Sequence, residues 1–163
     1  MKPLAMSNDA LRGIDWDNLH GVLALGIDPA QQQCVASNAV SLAEAHFNPG
    51  AWFRAVYADD LLVGFVMLFD PTVPGAIASD PVEPTDMVLW RLMIDHRHQR
   101  QGFSRRTLDA VRGHIASLGR FRRLLTSYVP GPGGPKGFYF SYGFTETGRL
   151  WDNGTEVEIA LLL

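Results

Sequence analysis

The feature that most constrains the fold of this chain is a unit of strand, turn and helix near its centre. Residues 87–94 form a nearly uninterrupted apolar run, which is typical of a central strand covered on both faces. Residues 95–103 are polar and include Gly102, and residues 104–118 then place apolar side chains on one helical stripe with arginines opposite, until Gly119 ends the pattern. A buried strand that leads through a glycine turn into an amphipathic helix predicts a mixed α/β fold.

Two helices are predicted before this unit. The spacing of apolar residues over 7–27 predicts the first, and Asp15 or Asp17 is available as its N-cap. The second is short and is predicted to begin at Ser37 or Asn38.

A hairpin and a loop are predicted next. The β-rich runs 52–57 and 61–69 predict two antiparallel strands, and Gly64 indicates a bulge in the second of them. Four prolines within residues 70–86 predict a loop.

Beyond the central unit, residues 124–129 and 156–163 predict a fourth and a fifth strand. A Gly/Pro loop over 130–137 and an aromatic segment over 138–144 separate them. Because no repeat or linker divides the chain, we expect one domain that spans residues 1–163.

Composition narrows the class of protein further. The chain has 163 residues, 47% of them hydrophobic, which is enough to bury a core. Cys34 is the single cysteine, so an internal disulfide is impossible and a packing role is favoured.

No apolar run approaches the roughly 20 residues of a membrane span, and no signal-peptide pattern follows Met1. We expect a soluble, cytoplasmic protein with no membrane partner.

Positive charge is concentrated around the glycine turn. Between Arg91 and Arg123 lie nine basic and two acidic residues, a net +7 within a chain of net −3, so the remainder carries −10. This asymmetry favours a phosphate-bearing ligand at one place and a cationic partner at another, although arginines on a solvated helix face would give the same count. Nucleic-acid binding is not expected, because the whole chain is anionic.

The turn itself predicts where phosphate binds. The first amides of a helix lack internal partners, and the helix dipole adds positive charge there. Gly102 lets a phosphate approach that backbone, and Arg97, Arg100, Arg105 and Arg106 surround it with positive charge. The P-loop and the Gly-x-Gly-x-x-Gly dinucleotide motif are both missing from the sequence. The histidines lack metal-ligand spacing, so no metal site is expected.

The same motifs resemble those of the GNAT superfamily of N-acetyltransferases. Gln-Arg-Gln-Gly-Phe-Ser, residues 99–104, is similar to the acyl-CoA loop Gln/Arg-x-x-Gly-x-Gly/Ala, with Ser104 in place of the usual Gly or Ala. Residues 90–95 and 138–144 stand where the superfamily has its central strand and its Tyr-x-x-x-Gly-Phe element. Resemblance to bacterial diamine and spermine/spermidine acetyltransferases extends over residues 31–45, 63–67 and 145–148.

The resemblance implies a GNAT fold, with a central, mostly antiparallel, splayed β-sheet flanked by helices, and acetyl-CoA as the cofactor. It implies that the backbone N–H of Ile94 polarises the thioester carbonyl and that Tyr139 protonates the leaving thiolate; otherwise Tyr139 would be an aromatic packing residue. The implied cofactor contacts are Leu92, Met93, Ile94, Gln99, Arg100, Gln101, Gly102, Phe103, Ser104, Arg105, Lys136 and Tyr139.

The acceptor side is less defined. Trp90 and Arg91 occupy positions where some polyamine acetyltransferases carry carboxylates, so we expect deprotonation through a water relay. The candidates for its base are Glu83, Asp86, Glu44 and His46, and the three carboxylates are also the candidates for substrate binding. The Pro/Gly-rich residues 130–135 stand where many relatives have an asparagine that contacts the cofactor.

The motifs and this resemblance together predict an acetyl-CoA-dependent N-acetyltransferase that acts on a primary amine of a small molecule such as a polyamine. The alternatives are acetylation of a protein N-terminus or an antibiotic amine, and a non-catalytic acyl-CoA-binding module. Relatives in this superfamily are often homodimers, so the resemblance also implies a homodimer.

Overall fold

The computed structural model describes residues 10–27, 29 and 36–163, which form one sheet of seven strands and four α-helices. The strands are Leu11–Arg12 (β1), Ala51–Ala58 (β2), Leu61–Phe69 (β3), Asp86–Ile94 (β4), Arg123–Tyr128 (β5), Thr145–Trp151 (β6) and Glu156–Leu162 (β7). The helices are Trp16–Ala24 (α1), Asn38–Phe47 (α2), Phe103–Leu118 (α3) and Lys136–Tyr142 (α4).

The strand order across the sheet is β1-β2-β3-β4-β5-β7-β6. The pairing is antiparallel everywhere except between β4 and β5, which are parallel. The chain reaches β5 from β4 through α3, which is the connection that a parallel pair requires. The prediction of a mixed α/β fold with a mostly antiparallel sheet is confirmed.

The helix ends follow from local side-chain chemistry. Asp15 caps α1 by accepting from the amides of Asp17 and Asn18, and Ser37 caps α2. Gly102 before α3 and Gly119 after it both have a left-handed backbone, which a residue without Cβ adopts at little cost.

The helices cover both faces of the sheet. On one face, α3 and α4 pack on a core that includes Val66 and Leu68 of β3. On the other face, α1 and α2 pack on Phe65 and Met67. Successive residues of a strand point to opposite faces, so the long apolar run of β3 supplies both cores.

The structure corrects the predicted elements at three places. The first helix is shorter than the predicted 7–27, because residues 11–12 pair with β2 as β1. Strand β6 was missed, since its exposed and polar residues lack the apolar alternation of a strand. The aromatic segment contains α4, whose seven residues are too few to show a helical period. Residues 1–9 and Cys34 lie outside the described part of the chain.

Gly64 allows β3 and β4 to approach closely. A Cβ on Gly64 would lie 2.4 Å from the carbonyl oxygen of Met93 and 2.7 Å from Cδ1 of Ile94. The predicted bulge is present beside Gly64. Val56 of β2 pairs with Gly64 and the next residue, Tyr57, pairs with Leu62, so the register skips Val63. The glycine therefore sets the position of the C-terminal half of β4.

Asp95 joins the end of β4 to the segment that follows α1. Its buried carboxylate accepts from the Gly26 amide at 2.9 Å and from the amide and Nε of Arg97 at 3.0 and 2.7 Å. Burial alone would raise the pKa of Asp95, but the hydrogen bonds from Arg97 and Gly26 outweigh it and lower the pKa to about 2.

Replacement of Gly64 tests the close approach of β3 and β4. Gly64→Ala should lower the free energy of unfolding by about 1–3 kcal/mol, because the new methyl group meets backbone that must move. Gly113→Ala, in α3 with nothing within 4 Å of its Cβ position, should instead stabilise the protein by about 0.5–1 kcal/mol. Urea unfolding of both variants measures the difference, and equal stability of the two would contradict the packing argument.

Asp95→Asn should lower the free energy of unfolding at pH 7 by about 2–3 kcal/mol, which is the free energy that corresponds to the lowering of the Asp95 pKa on folding. Because the folded-state pKa lies below the unfolded value of about 3.9, this stability is present above pH ~4 and is lost as the pH falls toward 2. Urea unfolding between pH 7 and pH 2.5 should show the parent and the variant converging. Asp60→Asn, which removes a fully exposed carboxylate, is the control for a simple loss of negative charge.

Candidate functional site

A cavity of about 1000 Å³ lies where β4 and β5 separate. The two strands pair only from Asp86 to Val88, although β4 continues to Ile94. A last link follows at Leu89, whose carbonyl oxygen accepts from Oγ1 of Thr126 at 2.9 Å. Beyond that point both strands line the cavity, so the splay expected of the sheet is present.

The inner edge of β4 directs backbone groups into this cavity. The amide of Asp95 donates to the Val63 carbonyl of β3 at 2.8 Å. Amide directions alternate along a strand, so the N–H of Ile94 points to the opposite edge, where β5 has separated. The Ile94 carbonyl accepts from Nε2 of Gln99 at 3.0 Å, which ties the following loop to this edge.

The loop before α3 forms the wall beside this edge. Gly102, the N-cap of α3, has a φ of 80°, and Arg100 also has a positive φ, of 61°. Within the described residues no side chain caps the N-terminus of α3, so its first amides remain available to an anion. Arg100 and Arg105 line the cavity, whereas Arg97 is directed to Asp95.

Tyr139 of α4 lies at the closed end of the opening. Its side chain is buried, packs against Phe138 and Phe144 at ring-centroid distances of 5.3 and 5.2 Å, and contacts the Thr126 hydroxyl. Burial raises the pKa of Tyr139 to about 12, partly opposed by the hydrogen bond with Thr126. The phenol is therefore protonated at neutral pH while it also serves as a packing residue.

Most of the cofactor contacts predicted from the sequence meet in this one cavity. Those that line it are Leu92, Met93, Ile94, Gln99, Arg100, Gly102, Phe103, Ser104, Arg105 and Tyr139. Gln101 and Lys136 are not among the lining residues, and Nζ of Lys136 lies 3.7 Å from Oε1 of Glu146. Gly133, Gly134 and Pro135 do line it, so the Pro/Gly-rich loop forms part of its wall.

The structure does not bring the predicted acceptor residues Glu83 and Asp86 to the cavity. Asp86 begins β4, about 26 Å along an extended strand from Ile94, and both of its oxygens accept from Arg123 at 2.9 Å. Glu83 lies in the loop before it. His46 is exposed at the end of α2 and stacks edge-on against Phe47.

Glu44 reaches the cavity indirectly, through Arg91. Its Oε2 accepts from Nη2 of Arg91, a cavity-lining residue, at 3.3 Å. Burial lowers the pKa of Arg91, and the charges of Glu44 and Glu156 partly oppose that effect. Nε of Arg91 is buried without a hydrogen-bond partner in the described part of the chain, so the protein leaves this guanidinium incompletely satisfied.

Glu156 and Ser127 also line the cavity and were missed by the sequence analysis. Ser127 pairs with Glu158 across β5 and β7, and Glu156 lies two residues before Glu158, so all three side chains share one face. This is the face that carries α1 and α2, opposite α3, and Oγ of Ser127 donates to Oε2 of Glu156 there. No local motif marks these residues, because only the β5–β7 pairing brings them together.

The described residues hold no group of three or more His, Cys, Asp or Glu side chains arranged to bind a metal ion. In the same part of the chain, every helix is too short or too polar to cross a membrane.

Comparison with known proteins points to one superfamily. No family model matches the chain. A curated spermine/spermidine N(1)-acetyltransferase from Bacillus subtilis is 25% identical over 155 residues, which cover 91% of this chain and 95% of the relative.

Solved structures share the fold at lower identity. An aminoglycoside acetyltransferase in complex with coenzyme A superimposes with a TM-score of 0.74 at 10% identity over 94% of each chain. An acetyltransferase from Thermus thermophilus gives 0.67 at 20% identity over 94% of this chain and 96% of that one. The ribosomal-protein-S18-alanine N-acetyltransferase of Escherichia coli gives 0.62 at 14% identity over 93% and 92%. The resemblance read from the sequence is thus confirmed, and the chain has the fold of the GNAT acetyltransferases.

Proposed function

We propose that this protein transfers the acetyl group of acetyl-CoA to a primary amine of a small molecule. The observation that carries the proposal is the separation of β4 from β5, which opens a cavity beside the unpaired edge of β4 and the N-terminus of α3. The spermine/spermidine acetyltransferase relative favours a polyamine as the acceptor.

The cavity fits acetyl-CoA at both ends. The amides at the start of α3, with Arg100 and Arg105, suit a pyrophosphate, because a helix N-terminus and guanidinium groups both favour an anion. The free edge of β4 suits the amide groups of a pantetheine arm, which can pair with strand backbone. When bound, acetyl-CoA supplies a thioester whose carbonyl carbon is open to attack by an amine.

The amine attacks in its neutral form, the C–N bond forms as the C–S bond breaks, and the proton of the nitrogen passes to water. The residues of this chain assist that attack in two ways. The N–H of Ile94 faces the cavity and is suited to donate to the thioester oxygen as negative charge develops there. Tyr139, which is protonated at neutral pH, is suited to donate its proton to the leaving sulfur.

Turnover is tested by mixing the purified protein with acetyl-CoA and an amine panel while free thiol is followed. We expect thiol release with spermidine, spermine or a diamine, and little release with an N-terminal peptide or an aminoglycoside. Release that is confined to the peptide or the aminoglycoside would contradict the polyamine assignment. A thermal shift with CoA but no release with any amine would contradict the enzymatic proposal and favour a binding module.

Tyr139→Phe tests the proton donor. We expect kcat to fall by about 100-fold, within the usual range for loss of a general acid, while the thermal shift given by CoA is unchanged. Tyr57→Phe is the matched control, because Tyr57 lies on β2 outside the cavity and should leave kcat unaltered. An unchanged kcat in Tyr139→Phe would restrict Tyr139 to packing.

A further inference from the structure

We propose that Glu156 binds an ammonium group of the acceptor, separate from the amino group that attacks the thioester, on the face of the β4–β5 opening opposite α3. This inference rests on the proposed acetyltransferase function and specifies the residue that recognises the acceptor. It assigns the site to a β7 residue that none of the sequence motifs includes.

The first support is the position of Glu156. It lines the same cavity as Tyr139 and Ile94, but its side chain lies on the α1/α2 face of the sheet, whereas the arginine-lined loop lies at α3. An acceptor that enters from the Glu156 side would approach the closed end of the opening without crossing the region suited to the cofactor phosphates. The two faces of the opening are thus suited to two different reactants.

The second support is the balance of charge on the Glu156 face of the opening. Arg91 contributes one positive charge, and Glu44 and Glu156 contribute one negative charge each. Glu44 is engaged by Arg91 at 3.3 Å, so one negative charge remains for Glu156 to offer to a ligand. A partly buried carboxylate of this kind favours an alkylammonium over a neutral or anionic acceptor.

The third support is the orientation of the carboxylate. The hydroxyl of Ser127 donates to Oε2 of Glu156 and fixes the side chain against β5. A carboxylate offers about four acceptor sites, so this bond leaves most of its capacity for an ammonium with its three donors. The indole of Trp90, partly buried in the same cavity, is an apolar surface for the methylene groups of such an amine.

The test compares steady-state kinetics of Glu156→Gln with the unaltered chain, using spermidine and a simple diamine. We expect KM for the amine to rise roughly 10- to 100-fold, because a charge-assisted hydrogen bond is lost, while KM for acetyl-CoA changes by less than about twofold. Ser127→Ala, which releases the carboxylate without removing its charge, should raise KM for the amine by a smaller factor. Asp60→Asn is the control for a simple loss of negative charge.

The outcomes separate the two proposals. If the unaltered chain releases no thiol with any amine, the proposed function fails and this inference fails with it. If the unaltered chain is active and Glu156→Gln keeps the same KM for the amine, only this inference is overturned. Should Glu156→Gln not fold, as judged by its thermal transition and its shift with CoA, an unchanged KM for the amine in Ser127→Ala overturns the inference instead.

Discussion

The whole site depends on the early end of hydrogen bonding between β4 and β5. Three residue pairs and the hydrogen bond from Thr126 to the Leu89 carbonyl join the two strands. Beyond them each strand is held at its outer edge only: β4 by β3 as far as Ile94, and β5 by β7 as far as Tyr128. The strands can separate without losing order because the outer ladders remain intact. The inner backbone groups are therefore left for a ligand, within a sheet that is otherwise paired.

Two details keep β4 on the side of β3. Gly64 has no Cβ that would meet the Met93 carbonyl. The β3–β4 register skips Trp90, because Met67 pairs with Arg91 and Leu68 pairs with Leu89. The resulting irregularity at Trp90 occurs next to Leu89, where the last link to Thr126 of β5 is made. A bulge increases local twist, so this position is suited to turning β4 away from β5.

The sequence predicted the half of the site that is contiguous in the chain. The strand, the glycine loop and the helix follow one another directly, so their chemistry can be read from adjacent residues such as Gly102 and Ser104. The part of the site around Glu156 could not be predicted in this way. Its residues come from β4, β5, β7 and α2, which only long-range contacts bring together. The number of carboxylates in the sequence also did not indicate that Asp86 forms an ion pair with Arg123 and is therefore not available to a substrate.

Charge counting along the chain overstated how much positive charge faces a ligand. Of the nine arginines between Arg91 and Arg123, four form ion pairs with carboxylates: Arg91 with Glu44, Arg97 with Asp95, Arg120 with Asp70 and Arg123 with Asp86. Arg100 and Arg105 line the cavity on the α3 side, and Arg91 lines it opposite, with Glu44 and Glu156 nearby. A few charges on the two faces of one opening therefore give these faces opposite polarity, which suits an anionic acyl donor on one side and a cationic amine on the other. Because these four arginines pair within the fold, the polarity of the site is set by local geometry and not by the net charge of the segment.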